Sequence, residues 1–148
     1  MTPTVMSKGD IGLHLMRLGA IPGFRGFPAM REAVAILLET DQCIPAAQLY
    51  QRTAERLGPK ETPARVERNC RFLREKMVDN PGPAYGELSL LVGSPNLHRM
   101  MLAQFLATVA EWMRVKAEHG EPAIITPDVL KELTEGPYLR RTGVAVGE

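Results

Sequence analysis

The feature that most constrains this chain is a helix between Thr62 and Asp79, because the sequence itself marks both of its ends. Thr62 offers a side-chain oxygen to the unpaired N–H groups of a first turn, and Pro63 suits that turn because it has no N–H to leave unsatisfied. At the other end Asn80-Pro81-Gly82-Pro83 cannot continue a helix. In between, Val66, Cys70, Leu73 and Met77 recur at i, i+4, i+7 and i+11, which makes one apolar face. Immediately upstream, the segment from about Pro45 to Leu57 has helical spacing of Leu49, Ala54 and Leu57, and Gly58-Pro59 stops it. Two helices joined by a short Gly/Pro turn, spanning Cys43 to Asp79, predict a helix-turn-helix.

The rest of the chain reads in the same way. Ile11, Leu15 and Leu18 predict a helix over Asp10–Leu18, stopped by Gly19, and Ala20–Gly26 reads as a structured turn. Pro28 suits a first helical position, and Met30, Val34, Leu37 and Leu38 make a stripe down to Glu39. A short helix is expected over Ala84–Val92. A long one follows Gly93-Ser94-Pro95-Asn96 to about His119, with Met101, Phe105, Leu106, Val109, Trp112 and Met113 facing inward. Thr126-Pro127-Asp128 opens a last short helix to about Glu135. Aromatic residues are only 5% of the chain, so Leu, Met, Val and Ala must fill the core, which favours helices over a sandwich. The expectation is an all-α fold of six or seven helices without a wing. Residues 1–9 form a tail, 10–119 the domain, and 120–148 an extension with one short helix.

Several function classes fall away. Ala33–Leu38 and Leu88–Val92 are too short to cross a bilayer, so no membrane partner is expected. Met1–Asp10 lacks the apolar run of a signal peptide, so the expected compartment is the cytoplasm, with Cys43 and Cys70 as buried free thiols. His14, His98 and His119 are scattered without ligand spacing and read as surface or cap residues, so no metal is expected. Gly19, Gly23 and Gly26 are not followed by the G-K-[ST] of a phosphate loop, and no serine stands in a nucleophile elbow. No enzyme and no cofactor are expected.

Charge points elsewhere. The window Gln51–Lys76 holds eight basic and four acidic residues, whereas the whole chain carries only +1, so positive charge is concentrated there. On the second helix Arg65 and Arg68, with Arg71 or Phe72, project along one side, and Glu67, Arg71 and Arg74 along an adjoining one. Arginine pairs with guanine O6 and N7, and Glu accepts from cytosine N4. Arg52, Lys60 and Arg74 are placed for phosphates. The same pattern also fits a solvated helix face.

Three stretches resemble the C-terminal DNA-binding effector domain of the stage-zero sporulation protein A family, the master sporulation response regulators of spore-forming Firmicutes. Leu18-Gly19-Ala20-Ile21-Pro22, Arg25-Gly26-Phe27 and Met30-Arg31-Glu32-Ala33-Val34 are similar to that family's opening helix, turn and "L-R-E-A-I" helix. Thr62-Pro63-Ala64-Arg65-Val66-Glu67-Arg68 is similar to its recognition motif "T-A-S-R-V-E-R", and Phe105-Leu106-Ala107, Val109-Ala110-Glu111 and Met113-Arg114 to its final helix. The resemblance covers about residues 10–118. It implies that Arg65, Glu67, Arg68 and Arg71 contact bases and phosphates, with Thr62 as the cap. It also implies a second copy on a neighbouring half-site.

Two positions depart from the family. Phe72 stands where it has His, so a polar contact becomes an apolar one of the kind that meets a thymine methyl. Ala64 replaces a Ser able to reach a phosphate. The family's aspartate-phosphorylated receiver has no counterpart in the nine residues before Asp10, so phosphorylation in cis is not carried over. The expected function is a sequence-specific regulator of transcription on double-stranded DNA. RNA polymerase is its natural further partner, although Glu132 and Glu135 read as solvated surface. The alternative is a protein-interaction module that keeps this core without operator binding.

Overall fold

The computed structural model describes residues 6–40, 44–92 and 97–118. They form an all-α bundle of six α-helices and one 3-10 turn, with no strand among them. Cys43, His119 and the short helix expected over Thr126–Glu135 lie outside the described residues. None of the described helices is long and apolar enough to cross a membrane.

The first helix, α1, spans Lys8–Arg17 and starts two residues earlier than its apolar spacing predicts. The cause is Ser7, whose hydroxyl accepts from the Asp10 N–H at 3.1 Å and caps the first turn. Helix α2, Gly26–Glu39, is buried on nearly every side, from Phe27 and Met30 through Ala33, Val34 and Ile36 to Leu38. A helix apolar all round belongs at the centre, and α2 packs against α1, α3 (Ala46–Leu57), α4 (Pro63–Asp79) and α6 (Leu102–Glu118). Pro28 is its third residue rather than its first, because the turn tightens into helix at Gly26.

Polar contacts fasten this frame. Glu32 of α2 is only 5% exposed, yet it pairs with Lys8 of α1 at 2.9 Å and Arg56 of α3 at 3.3 Å. Arg56 continues to Glu39 at 2.5 Å, and that hydrogen bond holds the Glu39 carboxyl below the usual carboxylate range. Arg114 of α6 donates to the carbonyls of Leu37 and Thr40, closing the C-terminal end of α2. Elsewhere the segment after α4 crosses the end of α1. Gly82 N–H donates to Leu18 at 3.1 Å and Ala84 N–H to Arg17 at 2.9 Å. A Cβ on Gly82 would stand 2.2 Å from the Arg17 oxygen, so only glycine permits the crossing.

Beyond α5 (Tyr85–Val92), the expected long helix is divided into a 3-10 turn, Leu97–Arg99, and α6. Met101 is therefore not a core residue; it is 74% exposed. Its spacing to Phe105 matches a helical stripe, but Met101 stands before the first turn, where its carbonyl accepts from the Phe105 N–H at 2.9 Å. The buried stripe of α6 starts at Leu102 and runs through Phe105, Leu106, Val109, Trp112 and Met113.

His14 is likewise not a surface residue. It lies on the buried side of α1, 8% exposed and edge-on to Trp112 with ring centroids 5.3 Å apart, and its Nδ1 has no hydrogen-bond partner among the described residues. Burial lowers its pKa below 6.5, assisted by Arg17 and Lys116 and opposed by Asp10 and Glu87. The unfolded chain therefore takes up this proton at higher pH than the folded one, so stability present above the unfolded pKa is lost as pH falls below it. Urea midpoints are expected to drop between about pH 7 and about pH 5, the window below an ordinary histidine pKa. In His14→Gln that slope should flatten, and an unchanged slope would contradict the assignment.

Candidate nucleic-acid interface

The helix-turn-helix consists of α3, a turn and α4. Leu49, Tyr50, Thr53 and Ala54 form the buried side of α3, and the buried Thr53 hydroxyl returns to the Leu49 carbonyl at 2.7 Å. The turn begins at Gly58, whose φ of 125° is in the region that favours glycine, while its N–H still donates to Ala54 at 3.1 Å. Chain direction is reset at Thr62, which is extended and accepts from the Arg65 N–H at 3.2 Å through Oγ1. Both boundaries of α4 fall where the sequence predicts them. Its apolar face is the expected one, with Val66, Cys70, Leu73 and Met77 all fully buried. Burial pushes the Cys70 thiol up to about 12, so it stays protonated and acts as a small apolar side chain.

The opposite face is solvent-accessible along the helix at Ala64, Arg68, Arg71, Phe72 and Glu75, with Arg65 and Glu67 half-buried on its flanks. These side chains are not equally available. Arg65 donates to the Lys60 carbonyl at 3.3 Å and stands 3.4 Å from Glu61, so it also ties the helix start to the turn. Arg71 is paired with Glu67, one turn earlier on the same helix. Arg68 is exposed and makes no ion pair or side-chain hydrogen bond among the described residues. Arg52 on α3 and Lys60 in the turn are exposed and border this face in sequence. Thr62 is engaged as the cap.

Arg74 is not the surface cation that the sequence predicts. It is 8% exposed, donates through Nη1 to the Met100 carbonyl at 2.7 Å and lies 5.6 Å from the centroid of the Phe105 ring. Burial, followed by the charge of Arg71, lowers its pKa. It is a strut between α4 and the segment entering α6, and of the three cations expected to face phosphates only Arg52 and Lys60 are exposed.

Two depressions flank α4. One, of about 610 Å³, lies between the starts of α3, α4 and α6 and includes Ala46, Ala64, Glu67, Arg71 and Met101. The other, of about 440 Å³, is formed by the turn before α2 and by Arg68, Asn69 and Phe72. There the ring of Phe24 lies 5.7 Å from that of Phe72, tilted by 54°, and Arg25 lines the same cleft. Phe24 and Arg25 are not among the DNA-contacting residues expected from the sequence, where Arg25 figures only in the family-like turn. Their further mark is an aromatic and a cation between two glycines, Gly23-Phe24-Arg25-Gly26.

Among the described residues no cluster of three His, Cys, Asp or Glu side chains can hold a metal ion. No protein family, curated protein or solved structure matches this chain.

Proposed function

We propose that this chain binds double-stranded DNA through the exposed face of α4 and regulates transcription in the cytoplasm. The observation that carries the reading is Arg68, an arginine exposed on that face with no ion-pair or hydrogen-bond partner for its guanidinium among the described residues. The other cations divide by what already engages them. Arg52 and Lys60 are exposed, with no ion pair among the described residues, and take phosphates, which set register and orientation. Arg65 reaches a phosphate only while retaining its link to the turn, and Arg71 and Glu67 meet bases as a pair or exchange their mutual bond for base contacts. Thr62 keeps α4 aligned, and Ala64 leaves the helix start low enough to approach a groove. A second copy on an adjacent half-site and contact with RNA polymerase belong to the same proposal, on the strength of the resemblance described above.

Affinity for duplex should then depend steeply on salt. Each neutralised phosphate contributes about −0.9 to the slope of log K against log salt, so four contacts from Arg25, Arg52, Lys60 and Arg65 give about −3.6. Fluorescence anisotropy of labelled genomic duplexes between roughly 50 and 200 mM salt reads this slope directly. Binding absent at the lowest salt, or a flat slope, would remove the basis for the proposal. One observation favours the alternative interaction module: Met101, 74% exposed, borders the larger depression beside Ala46 and Leu102. A partner seated there would be salt-insensitive, so the same titration separates the two.

A further inference from the structure

Phe72 is a large apolar side chain left 49% exposed in the middle of a charged helix face. It is not isolated. Phe24, reaching over from the turn before α2, packs against it at 5.7 Å, and Lys76 Nζ stands 5.2 Å from its ring centroid. The adjoining cleft is lined by Arg25 and Arg68, and no carboxylate lines it among the described residues. Two elements far apart in sequence thus build one apolar plate framed by three cations.

We infer that this plate reads the 5-methyl group of thymine in the major groove, with Arg25 holding a phosphate beside it. The inference rests on the duplex-binding proposal and names what one part of that face selects. The cations call for an anionic partner, while the paired rings call for an apolar group presented by that partner. Among the edges that duplex DNA displays in its major groove, the thymine methyl is the apolar one. A base lying flat on Phe72, as single strands require, would compete with Lys76, which already stands over that ring. Phe72 follows Arg68 by four residues, about 6 Å along the helix axis. The thymine should therefore lie roughly two base steps, at about 3.4 Å each, from the base that Arg68 contacts.

The test begins with random duplexes enriched on the wild-type protein and copied with either dTTP or dUTP, so that the two pools differ only in methyl groups. Wild type should bind the uracil pool about fourfold more weakly for each contacted methyl removed, the equivalent of one buried methylene-sized group. Phe72→Ala should bind both pools alike while keeping the wild-type salt slope, and Phe24→Ala should narrow the difference. Both side chains are at least partly exposed, and circular dichroism would confirm that each variant folds. Equal binding of the two pools by wild type would overturn the inference, as would a thymine preference that survives in Phe72→Ala. Tighter binding to single strands than to duplexes would also overturn it. If no duplex is enriched at all, the duplex-binding proposal falls as well, and that result is distinct from an enriched pool indifferent to methyl groups.

Discussion

Replacing Gly26 with alanine is expected to destabilise the protein by about 2–3 kcal/mol, the upper part of the range for forcing atoms into a packed interior. Gly26 opens α2 where that helix meets α4. A Cβ there would stand 2.3 Å from the Asn69 carbonyl oxygen and 2.9 Å from Leu73 Cβ. The first of these is backbone, so no side-chain rotation relieves it, and the two helices must separate. The intrinsic advantage of alanine over glycine in a helix, about 1 kcal/mol, is too small to compensate. Gly23, three residues earlier in the same turn, has nothing within 4 Å of the corresponding Cβ position. Gly23→Ala should therefore be neutral or slightly stabilising, through the lower entropy of its unfolded chain. Urea denaturation of the pair checks this, and a Gly26→Ala protein as stable as wild type would show that α2 and α4 do not meet so closely. The same contact sets Phe24 and Arg25 against α4, so Gly26→Ala should also disturb the cleft beside Phe72.

Much of the fold is legible in the sequence because its signals are local. Thr62 with Pro63 starts α4, Asn80 with Pro81 ends it, and a period of 3.6 gives its buried face. The all-α architecture follows from such signals repeated along the chain. The start of α6 is less legible, because Met101 has the right spacing to Phe105 and nothing local reveals that Leu97–Arg99 forms a tighter turn first. His14 stands three residues after Ile11 and four before Leu18, which is the spacing of the buried face; its polarity, rather than its position, suggested the surface.

The candidate site was legible only in part. Positions 64, 68, 71 and 72 follow from helical geometry once the apolar face is known. Arg74 does not, since it sits at the edge of that face, and only the approach of Met100 and Phe105 determines that its guanidinium turns inward. Nor do Phe24 and Arg25, because their place beside Phe72 depends on the contact between Gly26 and Asn69, which is tertiary. The engagement of Glu67 by Arg71 and of Arg65 by Lys60 and Glu61 changes the ranking within α4. A row of arginines equal in sequence becomes, among the described residues, one without an ion pair or hydrogen bond and several already engaged.

On the proposed duplex binding, that ranking predicts Arg68→Ala as the most damaging single substitution on α4. Loss of a bidentate arginine–guanine contact costs about 1–3 kcal/mol, which corresponds to roughly fivefold to 150-fold in affinity. The side chain is exposed and makes no ion pair or side-chain hydrogen bond among the described residues, so stability should stay within about 0.5 kcal/mol of wild type. Arg52→Ala provides the contrast. A lost phosphate contact weakens binding evenly across sequences and reduces the salt slope by about one.

The most direct measurement is anisotropy of an enriched duplex titrated at low salt with wild type and with Arg68→Ala, each confirmed folded by circular dichroism. Duplex binding through α4 predicts saturable binding by wild type, a loss of at least about fivefold in the variant, and relaxed preference at one base pair. Identical curves for the two proteins, or no binding by either, would contradict it.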